Sequence, residues 1–138
     1  TFDSVVVGGN LCLIQTSLGT AWQLETSNKI LFLEETNERG YRIDRMLEHL
    51  KQAGLFKQIR ALIFGDFIGG EEPNGKSLVE AVLQRFAENN SFPVLRYKGI
   101  GHDFINEPLP LNTAAKLQLG SQPSLECESG FYLSKNPN

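Results

Sequence analysis

Hydrophobic and polar positions fall in blocks along the chain, and each block has its own period. Ser4 to Val7 is β-branched and apolar and reads as a short strand, stopped by Gly8-Gly9. Asn10 can then cap a helix, because its side chain accepts first-turn N–H groups that lack partners. Leu11, Leu13, Ile14 and Leu18 would form the buried face of that helix, with Gly19 as its stop. Lys29 to Leu33 is a nearly continuous apolar run, as in a strand covered on both faces, and it ends abruptly in Glu34-Glu35. Tyr41 to Ala53 carries Ile43, Met46, Leu47 and Leu50 at helical spacing, closed by Gly54. Ile59 to Phe64 is a second buried strand, closed by Gly65, and residues 69–76 (GGEEPNGK) form a loop.

Ser77 with Glu80 three residues on reads as a capping box opening a helix. Leu78, Val79, Val82, Leu83 and Phe86 supply its apolar stripe. Phe92 to Tyr97 is a further strand. Ala115–Leu119 and Ser124–Cys127 flank Gly120-Ser121-Gln122-Pro123 as in a β-hairpin, and the last five residues, SKNPN, should fray. Strands alternating with helices through residue 97 predict an α/β layer structure with an antiparallel addition at the C-terminal end. No repeat or linker interrupts it.

Composition narrows the function classes. The 138 residues make about one domain with a real core. The formal charge is −3, and lysines and arginines are scattered without a basic stripe, which argues against nucleic acid as a partner. No apolar run approaches the ~20 residues that span a bilayer, and no signal peptide is in view. Cys12 and Cys127 lack metal-site spacing and fit a reducing compartment. The chain starts Thr1-Phe2-Asp3 and its only methionine is Met46, so the expectation is that something upstream has been removed.

Chemistry-bearing residues collect after strands: Gly8-Gly9-Asn10 after the first, Glu34-Glu35 after the second, and Gly101-His102 after the last of the alternating strands. Open α/β sheets bind ligands at the carboxyl ends of their strands. Glu34, straight after four apolar residues, is either a solvated strand end or a carboxylate that orients a histidine; Glu35 has the same two readings. His102, in the stretch GIGHDFIN, is either a solvated loop residue or a general base. Gly99 and Gly101 permit unusual backbone angles there, and Asn106 could brace the loop. A metal site is a poorer reading, since no HxH, HExxH or CxxC is present. His49 reads as a surface residue. Arg42, Asp44 and Arg45 read either as a solvated face or as an ion pair at a domain contact.

A base and its orienter need a nucleophile, and no G-x-S-x-G elbow exists. Ser17 and Ser77 sit in or at helices, Ser121, Ser124 and Ser129 belong to the tail, and Cys12 falls in an apolar helical pattern. The glycine-rich pieces do not make a phosphate loop: GGN lacks the Lys-Ser/Thr, and GGEEPNG is acidic.

Taken in order, GGNLCLIQTSLGT, KILFLEETNERGYRIDRMLEHLKQAG, ALIFGDF and GIGHDFINEPLPLN resemble the C-terminal domain of the LD-carboxypeptidases, over about Val7 to Leu119. These serine peptidases trim the terminal D-alanine from murein tetrapeptides. The resemblance implies a swivelling β/β/α-type domain over residues 1–138. It implies a Ser–His–Glu triad whose serine lies in an N-terminal domain absent from this chain. By motif position the glutamate is Glu34, with Glu35 second and Glu38 also nearby, and the histidine is His102. It further implies no cofactor, a homodimer, the bacterial cytoplasm, and an isolated domain without activity. Within the same family, microcin-immunity-type peptidases cut a peptidyl-nucleotide instead. Outside catalysis, the fold could serve as a binding or dimerisation module.

Overall fold

The computed structural model describes residues 1–128. β1 (Phe2–Asn10), α1 (Leu11–Thr16), β2 (Ile30–Thr36), α2 (Gly40–Gln52), β3 (Ala61–Ile68), α3 (Val79–Glu88) and β4 (Val94–Arg96) alternate, and a hairpin of β5 (Ala114–Gln118) and β6 (Ser124–Cys127) follows. All the strands join one sheet in the order β4-β3-β2-β1-β5-β6. β1 to β4 are parallel, and β5 is antiparallel to both β1 and β6.

Each parallel crossover steps one strand along in the same direction, so right-handed crossovers put all three helices on one face. Leu31, Leu33, Leu62 and Phe64 bury against Ile43, Leu47 and Leu50 of α2 and against Val79, Leu83 and Phe86 of α3. The alternate residues Ile30, Phe32, Ala61 and Ile63 point the other way and cluster with Val6, Ala115 and Leu117. The run at Lys29–Leu33 is apolar throughout because both of its faces are covered. Fully burying each Leu or Ile of this kind contributes about 1.5–3 kcal/mol.

β1 links the two layers. Phe2–Val5 pairs with β5, while Val6–Asn10 pairs with β2. The inward residues of β5 thereby reach the helix-free face. The α/β class, its β/β/α layering and the C-terminal hairpin agree with the expectation from sequence.

Several boundaries differ. β1 runs through Gly8-Gly9 to Asn10 rather than stopping there. Gly8 has φ 137°, and a Cβ on it would lie 1.8 Å from the Phe32 carbonyl oxygen, so the glycine allows close strand approach rather than a stop. β3 begins at Ala61 and continues through Gly65 to Ile68. A Cβ on Gly65 would meet the Phe32 ring at 2.4 Å and the Ile100 carbonyl at 2.6 Å. α1 ends at Thr16, and Leu13 is exposed on the outer side of this short helix; Leu11 is its buried residue, with Ile14 and Leu18 half-buried.

The Ser77–Glu80 capping box does not form. α3 starts at Val79, the Ser77 hydroxyl accepts from the Val79 N–H at 3.3 Å, and Glu80 instead accepts from Arg96 at 2.7 Å. Leu78 precedes the first helical residue, lies off the apolar stripe and is exposed. The expected Phe92–Tyr97 strand shrinks to Val94–Arg96, because Pro93 has no N–H to give and Phe92 stacks on Phe56 at 5.7 Å. On the charged face of α2, Arg42 pairs with Glu38, and Asp44 with Arg85 at 2.7 Å. His49 is exposed, its Nδ1 accepting from the Gln15 amide at 2.9 Å. Residues 134–138 and Ser129 lie outside the described residues.

The Gly8 contact separates two substitutions. Gly8→Ala should destabilise the fold by about 3 kcal/mol or more, since both overpacking and an unfavourable φ act. Gly9→Ala has only the unfavourable φ, of 143°, with nothing within 4 Å, and should cost about 1–2 kcal/mol. Urea denaturation of the two variants compares them, and equal losses would refute the steric role of Gly8.

Candidate active site

β2 does not release its two carboxylates to solvent. It continues to Thr36, and Glu34 and Glu35 are 6% and 4% exposed. Strand alternation sends them to opposite faces. Glu35 follows Leu31 and Leu33 to the helix side. Its Oε1 accepts from the Asn10 amide at 2.8 Å and the Thr36 N–H at 2.9 Å, and its Oε2 from the Cys12 N–H at 2.8 Å. Asn10 caps α1 as expected, its Oδ1 accepting from the Leu13 N–H at 3.1 Å. Glu35 thus ties the end of β2 to the start of α1, where a negative charge also meets the positive end of the helix dipole.

Glu34 follows Ile30 and Phe32 to the helix-free face. There its Oε2 accepts from Nδ1 of His102 at 2.6 Å. A carboxylate only accepts, so Nδ1 donates, and in the neutral form of the ring Nε2 keeps the lone pair. The His102 side chain is 54% exposed and that of Glu34 8%. Nε2 makes no hydrogen bond among the described residues and is turned away from Glu34. One nitrogen is anchored and the other is presented.

The segment that carries His102 is closed on itself. The Glu107 N–H donates to the Gly99 carbonyl at 2.6 Å, the Gly101 N–H to Asn106 Oδ1 at 3.2 Å, and the Tyr97 hydroxyl to Glu107 Oε2 at 2.9 Å. Asn106 braces the loop. Gly99 and Gly101 have φ of 102° and 148°, so the turn uses backbone that other residues rarely adopt. Phe104 and Ile105, beyond the histidine, are exposed. An open cleft of about 430 Å³ adjoins this loop, walled by Gly9, Phe32, Glu34, Ile100, Gly101 and Asn106. The three strand ends singled out from sequence therefore meet at one place.

Ser17 is buried and donates to the Ile14 carbonyl at 2.7 Å, and Ser77 lies at the entry to α3. No hydroxyl or thiol among the described residues is bonded to His102. Burial pushes the Cys127 thiol up from its ordinary value, away from nucleophilic use. Among the described residues no three His, Cys, Asp or Glu side chains are grouped to hold a metal ion.

Sequence reasoning missed Asp66, Tyr97 and Glu107. Asp66 had a signal: like Glu34, it is an acidic residue embedded in an apolar run, ALIFGDFI. The Tyr97–Glu107 clasp had none, because it depends on how the loop folds back. The hydrogen bond to Glu107, and then its charge, holds the Tyr97 phenol above its ordinary value. With the folded value raised, the clasp is fully present below the unfolded phenol value of about 10 and is lost as pH rises through the folded one. Ultraviolet titration should show Tyr97 returning towards the ordinary value in Glu107→Ala, which removes both the acceptor and the charge; an unmoved titration would contradict the clasp.

Residues 3–117 match the model of the LD-carboxypeptidase C-terminal domain. A Rickettsia conorii protein named "Putative carboxypeptidase RC0549" is 46% identical over 112 residues, which are 81% of this chain and 34% of that protein. The crystal structure of a muramoyltetrapeptide carboxypeptidase from Oxalobacter formigenes superposes with a TM-score of 0.81 at 30% identity, over 92% of this chain and 45% of that one. The microcin C7 self-immunity protein MccF shares the fold, with a TM-score of 0.78 at 24% identity over 92% of this chain and 38% of that one. The chain spans between a third and a half of the length of each of these proteins. It belongs to the LD-carboxypeptidase C-terminal domain family.

Proposed function

We propose that this domain supplies the base and its orienting carboxylate to a serine LD-carboxypeptidase that removes the terminal D-alanine from murein tetrapeptide. The observation that carries this reading is the His102 Nδ1–Glu34 hydrogen bond of 2.6 Å, with Nε2 left free, in a chain of this family. On this reading the nucleophilic serine belongs to an N-terminal domain of the full-length protein. The serine attacks the amide carbonyl between the diamino acid and D-alanine. His102 Nε2 takes the serine proton and returns it to the leaving amine, while Glu34 holds the ring and stabilises the imidazolium. Glu35 has a different role on this reading, because it lies on the helix face, away from His102, and accepts there from Asn10, Cys12 and Thr36. On this reading the domain alone is inactive, and the whole protein works as a homodimer in the cytoplasm, in cell-wall recycling.

The shared fold of MccF favours a second reading, a peptidase acting on a peptidyl-nucleotide. Offering the full-length protein both substrates separates the two. A protein that cleaves neither, though folded, would point to a binding module.

In the full-length protein, Glu34→Gln and His102→Ala should each lower D-alanine release from murein tetrapeptide by about 10³–10⁴-fold. Glu34→Gln should unfold close to the parent, whereas His102→Ala should be less stable by about 1–3 kcal/mol, because it leaves the Glu34 carboxylate buried without its donor, and both should remain folded. Release that survives both substitutions would refute the assignment. Glu35→Ala should instead cost about 2–4 kcal/mol of stability, read by denaturant unfolding, because three donors lose their acceptor. A Glu35→Ala protein with unchanged stability would show that those hydrogen bonds contribute nothing.

A further inference from the structure

Asp66 is 3% exposed and has no cationic partner among the described residues. A carboxylate buried in that way is costly unless donors satisfy it. Both of its oxygens face one donor, the Gly99 N–H, at 3.0 and 3.2 Å. The Asp66 N–H in turn donates to the Ile100 carbonyl at 2.8 Å, and one step earlier the Tyr97 N–H donates to the Phe64 carbonyl at 2.8 Å. Residues 64–66 of β3 therefore continue the β3–β4 pairing into the loop that carries His102.

The fit is also steric. A Cβ on Gly101 would lie 2.9 Å from the Cβ of Asp66, and a Cβ on Gly65 would lie 2.6 Å from the Ile100 carbonyl oxygen. The loop rests on β3 with no room for a side chain at either contact. His102 follows Gly101 directly. β3 is a central strand between β4 and β2, and its register with β2 shifts between Phe64 and Phe67, at the residues on which the turn rests.

We propose that Asp66 is a positioning residue for His102: its carboxylate holds the Gly99 N–H and thereby sets the turn that keeps the imidazole against Glu34. The effect on rate rests on the reading of His102 as the base. A charged acceptor suits the task because bonds from N–H to carboxylate are shorter and stronger than neutral ones. The negative charge itself is not required, since a side-chain amide oxygen can accept the same N–H.

The test uses the full-length protein as Asp66→Ala, Asp66→Asn and His102→Ala, each checked by thermal unfolding. Asp66→Ala should lower kcat for D-alanine release by about 10²-fold, the scale of an ångström-sized misplacement. Its KM should stay within about twofold, because no substrate contact is removed. Asp66→Asn should recover most of the lost kcat. In parallel, proton NMR should detect the His102 Nδ1 proton bonded to Glu34 in the parent and in Asp66→Asn, and lose it in Asp66→Ala. A folded Asp66→Ala with parental kcat overturns the proposal, as does an Asp66→Asn impaired as severely as Asp66→Ala. If His102→Ala keeps full activity, the reading of His102 as the base fails. The proposal is then decided by the Nδ1 proton alone: its persistence in Asp66→Ala refutes it, and its loss upholds it.

Discussion

Three carboxylates buried near the carboxyl ends of two neighbouring parallel strands organise this domain. Glu34, Glu35 and Asp66 are each under a tenth exposed, and among the described residues none is paired with lysine or arginine. Burying an ionised carboxylate is costly, and each of these is compensated by N–H donors from a different piece of chain. Glu34 takes the imidazole of His102, Glu35 takes the first turn of α1 with Asn10, and Asp66 takes the turn before the histidine. The need to satisfy buried charge thus fastens a helix and a loop to β2 and β3. The same fastening leaves a histidine with one nitrogen held and the other open.

Close backbone approach is the second constraint. β1 and β2 come together at Gly8, where a side chain would enter the Phe32 carbonyl. Phe32 then presses its ring against Gly65, and the His102 loop lies over Asp66 at Gly101. Phe32 and Glu34 stand on the same face of one strand, so the residues that shape the cleft floor also set where the carboxylate emerges. This face carries no helix, and the hairpin and the loop at residues 98–113 cover it instead. The helix face is an ordinary apolar core, and no part of the candidate chemistry arises there.

Much of this was legible in the sequence. Helix α2 was found to within a residue because Ile43, Met46, Leu47 and Leu50 mark one face and Gly54 ends it. The alternation of strands and helices predicted the α/β layers, and Glu34 and His102 emerged as residues of interest before any contact between them was known. What local pattern could not supply was depth. Glu34-Glu35 read also as a solvated end, because the burial of Glu34 depends on the 98–113 loop folding back over it and that of Glu35 on the start of α1. Gly8-Gly9 read as a stop, since a glycine that makes room for a neighbouring strand resembles a glycine that ends one. Leu13 and Leu78 kept helical spacing yet lie exposed, because α1 is only six residues long and α3 starts one residue later than its capping signal. Asp66 was hidden inside an apolar run, although the rule that flagged Glu34 applies to it equally.

The measurement that bears most directly on the central claim is a crystal structure of the full-length protein. The account predicts a serine Oγ from the N-terminal domain within about 3.2 Å of His102 Nε2, with Nδ1 still on Glu34. An Nε2 that faces solvent or a non-nucleophilic side chain in the assembled protein, with Glu34 turned elsewhere, would contradict it.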